Sequence, residues 1–400
     1  MFKEETSLIE TLIQRKNQTY GTTQLKKALL HLGSPEKNIS VIQIGGTNGK
    51  GSTTNFTRSI LQASGNKVGT FTSPHLVHHR DRIRINDEEI NADEFLRIAN
   101  QTEPLWDEYN LSMFEIDLII SVLYFIEKNV DVAIYEVGLG GRLDATSVLT
   151  PELIGITNVS LDHMAILGDT EEKIAIEKAG IFKDKVPVYS SELKPEIQKV
   201  FIEYAKGPIT FLPKPLIEWG KDSYHVKGSQ LEFDLKRHAN YQGLNANLAI
   251  ELCLAFDDTL SKELIKKTVE KEVWAGRFEE VLPKVYLDGA HNEAGVNSLV
   301  EEIKTRDEKT LILFTALKDK EVSVMINHLN QVVDHMILTT FDFPRAITEE
   351  DLNSMDLGLE VISPYQSAID KALEYKETHS IYITGSLYFI SLARAYIKKT

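Results

Sequence analysis

From residue 41 onward, short β-branched runs alternate with longer stretches of helical spacing. Val41-Ile42-Gln43-Ile44, Lys67-Val68-Gly69-Thr70-Phe71 and residues 131–137 and 153–158 have the length and the Val/Ile content of buried strands. Between them, residues 53–63, Ala92–Glu108 and residues 113–129 repeat apolar side chains every three to four positions, which predicts helices. Residues 6–32 also follow helical spacing, interrupted at Gly21. Strands alternating with helices predict an α/β fold with a mostly parallel sheet. Residues 186–236 are less regular and read as short strands and turns, and a helix restarts over 240–256. Trp274-Ala275-Gly276-Arg277-Phe278-Glu279 and Pro283 then break the pattern, which sets a domain boundary near residue 280 and divides the chain into 1–279 and 280–400. Beyond it, strands at 285–288, 310–314, 335–340, 360–362 and 381–384 alternate with helices as a second, smaller doubly wound unit of Rossmann-like kind.

Composition narrows the field. At 400 residues the chain is long for one core. A net charge of −15 argues against a nucleic-acid partner, and any anionic substrate needs locally positive groups. The single Cys253 excludes an internal disulfide and a cysteine metal cluster. The most apolar window, 116–126, is too short to span a bilayer, and Met1-Phe2-Lys3-Glu4-Glu5 has no apolar targeting core. A cytoplasmic protein with no membrane partner is expected.

The candidate chemistry gathers at strand ends. The first strand runs into Gly45-Gly46-Thr47-Asn48-Gly49-Lys50-Gly51-Ser52, and a helix follows. A strand, a glycine-rich turn with one lysine and a helix aim backbone N–H groups at phosphate oxygens, with Lys50 adding charge. The P-loop spacing is imperfect, because Gly51 takes the place of the usual Ser or Thr and Ile44 that of the first glycine. Ser73, Glu136 and His163 each fall at the end of a further strand, the edge on which open α/β sheets bind ligands. A hydroxyl, a carboxylate and an imidazole beside a phosphate loop suggest a metal–nucleotide site. The segment His78 to Arg84 reads either as a solvated hairpin or as an arginine-bearing loop facing an anion. Residues 138–146, carrying Arg142, Asp144 and Thr146, are a functional loop or a flexible turn, and the polar density favours function. By pattern alone, Lys178 is a helix-surface lysine paired with Glu177 or Glu171.

Five separated motifs resemble the folylpolyglutamate synthase/dihydrofolate synthase family of the Mur ligase superfamily. They are Gly46-Thr47-Asn48-Gly49-Lys50-Gly51-Ser52; Thr72-Ser73-Pro74-His75-Leu76 with Arg82-Ile83; residues 136–146; residues 161–178; and Asp288-Gly289-Ala290-His291-Asn292 preceded by Gly276-Arg277-Phe278-Glu279. The resemblance implies an ATP-dependent ligase that adds L-glutamate to a folate, or to dihydropteroate, through an acyl phosphate. It implies two magnesium ions held by Ser73, Glu136, His163 and Lys178 as a CO2-derived carbamate. Thr47, Asn48, Gly49, Lys50, Gly51, Ser52, Asn245, Arg277 and Asp288 would hold ATP. Arg82, Phe114, Asp144 and Ala145 would take the folate, and His291 and Ser386 the glutamate, with Lys50, Lys178 and His291 as catalytic groups. A monomer is expected.

The chain departs from the family pattern at Asp81, Ser147, Tyr241 and Glu293, where glutamate, asparagine, histidine and proline are usual. A dihydrofolate synthase alone, another Mur-type amino-acid ligase, or a P-loop regulatory ATPase without ligase activity are the rival readings.

Overall fold

The computed structural model describes residues 2–15, 21–220, 223–236, 238–306 and 308–399. Two compact units emerge: Met1–Leu216 with Lys227–Phe233 and Leu244–Glu272, and Ile217–Val226 with Asp234–Gly243 and Val273–Thr400. The helical spacing read over 6–32 resolves into Glu5–Gln14 and Thr23–His31, and residues 16–20 lie outside the described residues.

The first unit is built on an eight-stranded sheet: β1 (Val41–Gly45), β2 (Val68–Phe71), β3 (Ile83–Ile85), β4 (Glu88–Glu89), β5 (Val132–Glu136), β6 (Leu153–Ile156), β7 (Val188–Ser190) and β8 (Ile209–Phe211). Its order is β4-β3-β2-β5-β1-β6-β7-β8. From β2 to β8 all neighbours are parallel, and β3 and β4 add an antiparallel edge. Every residue of β1, β2, β5 and β6 is buried, as a sheet covered on both faces requires.

The helix Lys50–Ala63 follows β1 and is buried from Gly51 to Leu61, although seven of those eleven residues are polar. Several of its polar groups are bonded inside, while the Thr53 and Thr54 hydroxyls are buried without a partner. The Thr57 hydroxyl donates to the Thr53 carbonyl at 2.8 Å and the Ser59 hydroxyl to Phe56 at 2.9 Å, while Arg58 reaches Glu272 at 2.8 Å.

The second unit carries β12 (Arg277–Leu282), β13 (Val285–Asp288), β14 (Thr310–Phe314), β15 (His335–Leu338), β16 (Glu360–Val361) and β17 (Ser380–Thr384), in the order β12-β13-β17-β14-β15-β16. All five expected strands are present, parallel to one another. The expected boundary at 279/280 would cut β12, which pairs antiparallel with β13 and so goes with the C-terminal sheet; the last changeover between units lies between Glu272 and Val273. A small sheet of three strands, β9 (Leu216–Trp219), β10 (Ser223–Lys227) and β11 (Glu232–Lys236), accounts for the irregular stretch. Among the described residues no helix is long and apolar enough to cross a membrane.

Candidate active site

The strand order β2-β5-β1-β6 puts four loops side by side at the C-terminal edge of the first sheet. β1 leads to the Gly46–Lys50 turn, β2 to Ser73, β5 ends at Glu136, and β6 leads to residues 157–163. The phosphate-loop turn is clamped to the segment after β6. The Thr47 amide donates to the Asn158 carbonyl at 2.8 Å, and the Asn48 amide to Asn158 Oδ1 at 3.0 Å. Asn158 Nδ2 returns a bond to the Asn48 carbonyl at 3.2 Å, and the Ser160 amide donates to Thr47 Oγ1 at 3.1 Å. Gly46 and Gly49 have φ of 136° and 87°, and close packing forbids a side chain at either. A Cβ on Gly46 would meet Thr157 Oγ1 at 1.8 Å, and one on Gly49 would meet Asn245 Oδ1 at 2.2 Å. Asn245 therefore stands against the loop in which the sequence placed its role.

Lys178 corrects the pattern-based reading. It is buried, 3% exposed, and not on the helix surface. Its helix, Glu171–Ala179, buries Ile174, Ala175, Lys178 and Ala179, one stripe at positions i, i+1, i+4 and i+5. Neither expected partner binds it: Glu177 pairs with Arg142 at 2.7 Å and Glu171 with Lys194 at 2.6 Å. Lys178 Nζ donates to the Gly46 carbonyl at 2.8 Å, the same oxygen that Lys50 Nζ approaches at 3.2 Å. Burial, and then the Lys50 charge, pull the Lys178 amine down to about 7, against the opposing charges of Asp162 and Asp144. The stripe Ile174-Ala175-Lys178-Ala179 was readable in the sequence and marked this lysine as inward.

Glu136 is buried, and its Oε2 accepts the Ser73 amide at 3.2 Å, so two of the expected metal ligands are neighbours. His163 has φ of 50° and lies beside Asp162, Nε2 to Oδ1 at 3.9 Å. Among the described residues no three His, Cys, Asp or Glu side chains are grouped as metal ligands. The expected set contains only one carboxylate and one imidazole, and draws its other donors from a hydroxyl, a modified lysine and phosphate oxygens. Such a set suits a hard cation bound with its nucleotide.

Beside the 138–146 loop lies a cavity of about 600 Å³ whose walls include Phe114, Leu139, Asp144, Ala145 and Ile166. Asp144 is buried with its carboxyl held above the usual range by desolvation. It accepts from the Leu139 amide at 2.9 Å, the Thr146 amide at 2.9 Å and the Thr146 hydroxyl at 2.5 Å. Gln43 of β1, which sequence reasoning passed over, donates to Thr146 Oγ1 at 3.0 Å and so ties this loop to the phosphate-loop strand.

Arg82 is not among the cavity's lining residues. It is buried in a short turn, His79–Arg82, with Nε 3.9 Å from Asp117 Oδ2. His79 Nε2 meets Asp117 Oδ1 at 2.9 Å, and burial followed by the Arg82 charge holds His75 down to about 3. The solvated-hairpin alternative for this segment is thereby excluded at His79, Asp81 and Arg82.

In the second unit, Asp288 ends β13 opposite Arg277 of β12. Its Oδ1 accepts the Ala290 amide at 2.9 Å, and the Tyr241 hydroxyl donates to its Oδ2. Burial holds the Asp288 carboxyl above its usual range. His291 Nδ1 lies 2.8 Å from the Gly289 carbonyl, and Thr384 at the end of β17 donates to the Ala290 carbonyl at 3.3 Å. Ser386, at the start of the helix Leu387–Ile397, is buried with an Oγ that has no hydrogen-bond partner.

A nucleotide-loop sheet and a second parallel sheet, each with its polar residues at strand ends, define a Mur-type ligase. Residues 44–191 match the Mur ligase middle domain and residues 276–387 the Mur ligase glutamate ligase domain. The chain is 36% identical to the dihydrofolate synthase/folylpolyglutamate synthase of Bacillus subtilis, over 94% of this chain and 95% of that one. The fold superposes with TM-score 0.91 on Escherichia coli FolC in complex with DHPP and ADP, at 25% identity, covering 99% and 98% of the two chains. With a bifunctional folylpolyglutamate synthase/dihydrofolate synthase with Mn, AMPPNP and L-glutamate bound, the TM-score is 0.87 at 25% identity, over 99% and 98%. The chain belongs to the dihydrofolate synthase/folylpolyglutamate synthase family, and it is an ATP-dependent glutamate ligase.

Proposed function

We propose that this enzyme joins the amine of L-glutamate to the glutamyl carboxylate of a reduced folate, and to the carboxylate of dihydropteroate. The observation that carries the mechanism is Lys178, buried beside Lys50 at the Gly46 carbonyl with its amine held near neutrality. A carboxylate has no leaving group worth the name, so the acceptor oxygen first attacks the γ-phosphorus of ATP and ADP departs. The glutamate amine then attacks the acyl phosphate, loses a proton and expels phosphate.

The protein supplies position and charge. The clamped Gly46–Lys50 turn presents its backbone and the Lys50 ammonium to the phosphates, with Thr47, Asn48, Gly49, Gly51, Ser52 and Asn245 around them. An amine held near neutrality reacts with CO2 as its free base, releasing a proton and leaving a carbamate anion on Lys178. Ser73, Glu136, His163 and that carbamate would hold magnesium, which neutralises phosphate charge when bound. Phe114, Asp144 and Ala145 wall the acceptor cavity.

In the second unit, Arg277 and Asp288 serve the nucleotide, and the unpartnered Ser386 Oγ and His291 serve glutamate. With Nδ1–H directed to the Gly289 carbonyl, His291 turns its other nitrogen to the amine's proton.

The test is incorporation of labelled glutamate by the purified protein with ATP, magnesium and either dihydropteroate or tetrahydrofolate. Acceptor-dependent product is expected with both. ATP turnover that ignores every acceptor overturns the ligase chemistry proposed for this chain, and activity with only one acceptor narrows it.

A further inference from the structure

The cavity beside the 138–146 loop is walled mainly by apolar groups, with five charged side chains among them: Arg15, Glu115, Arg142, Asp144 and Glu177. Three of these are committed inside the fold. Arg15 donates to the Leu111 carbonyl at 2.9 Å, the Trp106 carbonyl at 2.7 Å and Asp107 at 2.8 Å. Glu115 closes a helix cap, accepting from the Ser112 amide at 2.8 Å and hydroxyl at 2.6 Å. Asp144 is tied to Leu139 and Thr146.

The remaining two form a pair of a different kind. Arg142 is 55% exposed, and its Nε and Nη2 both approach a single oxygen, Glu177 Oε1, at 3.1 and 2.7 Å. An end-on, half-exposed pair of this sort is worth about 0–1 kcal/mol and exchanges readily. A guanidinium has two parallel donors for a carboxylate's two oxygens, a better match than the one Glu177 uses.

The pair also stands at a defined end of the cavity. The Arg142 amide donates to the Glu177 carbonyl at 2.8 Å, next to Lys178 in the chain. Gly141 and Gly180 permit this approach: a Cβ on Gly141 would lie 2.6 Å from the Glu177 carbonyl oxygen, and one on Gly180 2.3 Å from Arg142 Cβ. Arg142 thus borders the cavity where its wall runs into the Lys178 helix, the side at which the acceptor's reacting carboxylate must arrive.

We propose that Arg142 is a specificity-determining residue: it leaves Glu177 to grip the non-reacting α-carboxylate of a glutamylated acceptor, a group that dihydropteroate lacks. The proposal rests on the folate reading above. It gives one cavity two modes, a glutamylated acceptor held also by Arg142 and a pteroate held by the remaining walls without it.

The decisive probes are two acceptors that differ only in this group, tetrahydropteroylglutamate and its γ-aminobutyrate counterpart without the α-carboxylate. Their dissociation constants are measured by calorimetry with a non-hydrolysable ATP analogue present, alongside dihydropteroate. The unmodified enzyme should favour the glutamate compound about tenfold or more, the worth of a charge-assisted hydrogen bond. Arg142→Gln should bring that ratio to within about twofold while dihydropteroate affinity and melting temperature stay level. Glu177→Gln, which removes the competing carboxylate, should tighten the glutamate compound alone. An unchanged ratio in Arg142→Gln, or equal weakening of all three ligands, overturns the assignment. If none of the three binds the unmodified enzyme, the folate reading itself fails and takes this assignment with it.

Discussion

The two parallel sheets present polar residues at their C-terminal edges in opposite states of completion. At the first edge nearly every group named is spoken for within the unit: Thr47 and Asn48 by Asn158, Ser160 by Thr47, Glu136 by the Ser73 amide, and both lysines by the Gly46 carbonyl. At the second edge the Asp288 carboxylate is fixed by Ala290 and Tyr241, yet Ser386 Oγ is buried with no partner. A buried polar group left unsatisfied costs free energy that a ligand can recover. Two nearby cations cost energy as well, and what relieves them is negative charge. The first edge is therefore prepared for anions, the second for a neutral or zwitterionic group bringing hydrogen bonds.

The largest test of that contrast is at Lys178. Removing it as Lys178→Ala should lower turnover by about a hundredfold or more, with partial recovery in added short carboxylic acids that replace the carbamate oxygen. Lys178→Arg should fail equally, because guanidinium keeps a positive charge where an anion is required. An active Lys178→Arg enzyme would sink the carbamate while sparing the ligase.

The same residue sets a pH signature in the ligand-free, CO2-free protein. Its amine titrates near 7 when folded and near 10.5 when unfolded, so between those values the unfolded chain holds the extra proton. Stability should then rise with pH from about 7 to about 10.5, and the penalty is fully present below 7. Melting curves of Lys178→Met across that window should lack this component of the rise.

Lys50→Ala tests the clamped loop from its other cation. Turnover should fall by about a hundredfold with a smaller change in ATP affinity, since the charge counts most while the phosphoryl group moves. Near-normal turnover would mean that the turn does not serve phosphate.

Much of this was legible beforehand, and the exceptions have physical reasons. The strands β1, β2, β5 and β6 were readable because both-face burial writes continuous Val/Ile runs. In the second sheet β13, β14 and β17 are buried throughout and carried the same signal, whereas the short edge strand β16 is not buried. β12 was missed because it is an antiparallel edge strand that follows directly on Trp274-Ala275-Gly276 and lies within a stretch that read as a break. The segment holding the buried His79, Asp81 and Arg82 stayed open between a solvated hairpin and an arginine-bearing loop, because sequence pattern does not show that Asp117, 38 positions after His79, supplies the partner. The wall of the cavity beside the 138–146 loop was legible at Asp144 from the loop's polar density and at Ala145 only through the family motif, while Gln43 and Asn158, which brace the two loops, carried no motif of their own.

Ser386→Ala sharpens the contrast from the second edge, with a smaller effect of opposite character. Deleting a buried hydroxyl that has no partner should leave the melting temperature level or slightly higher. The KM for glutamate should rise about tenfold, the worth of one hydrogen bond to a charged group. A drop in stability without a change in that KM would make Ser386 structural and remove the second edge's main claim to a ligand.

The smallest expected effect is at Tyr241, which stands where the family pattern usually has histidine. Its hydroxyl donates to Asp288 Oδ2, and burial first, then the Asp288 carboxylate, raise the tyrosine well above its usual range. Tyr241→Phe keeps the ring against the core and deletes only that donor. Asp288 retains the Ala290 amide on its other oxygen, so it should loosen without leaving its place. The expected result is a rise of about threefold to tenfold in the KM for ATP with kcat nearly level, as for a lost neutral-to-charged hydrogen bond that only positions a group. Tyr241→His, which restores a donor, should recover part of it. Asp288→Asn combined with Tyr241→Phe should cost little more than Asp288→Asn alone, since the tyrosine acts through the carboxylate. Additive losses in that cycle would show that Tyr241 serves the ring packing instead, and that the second edge is less finely set than its hydrogen bonds suggest.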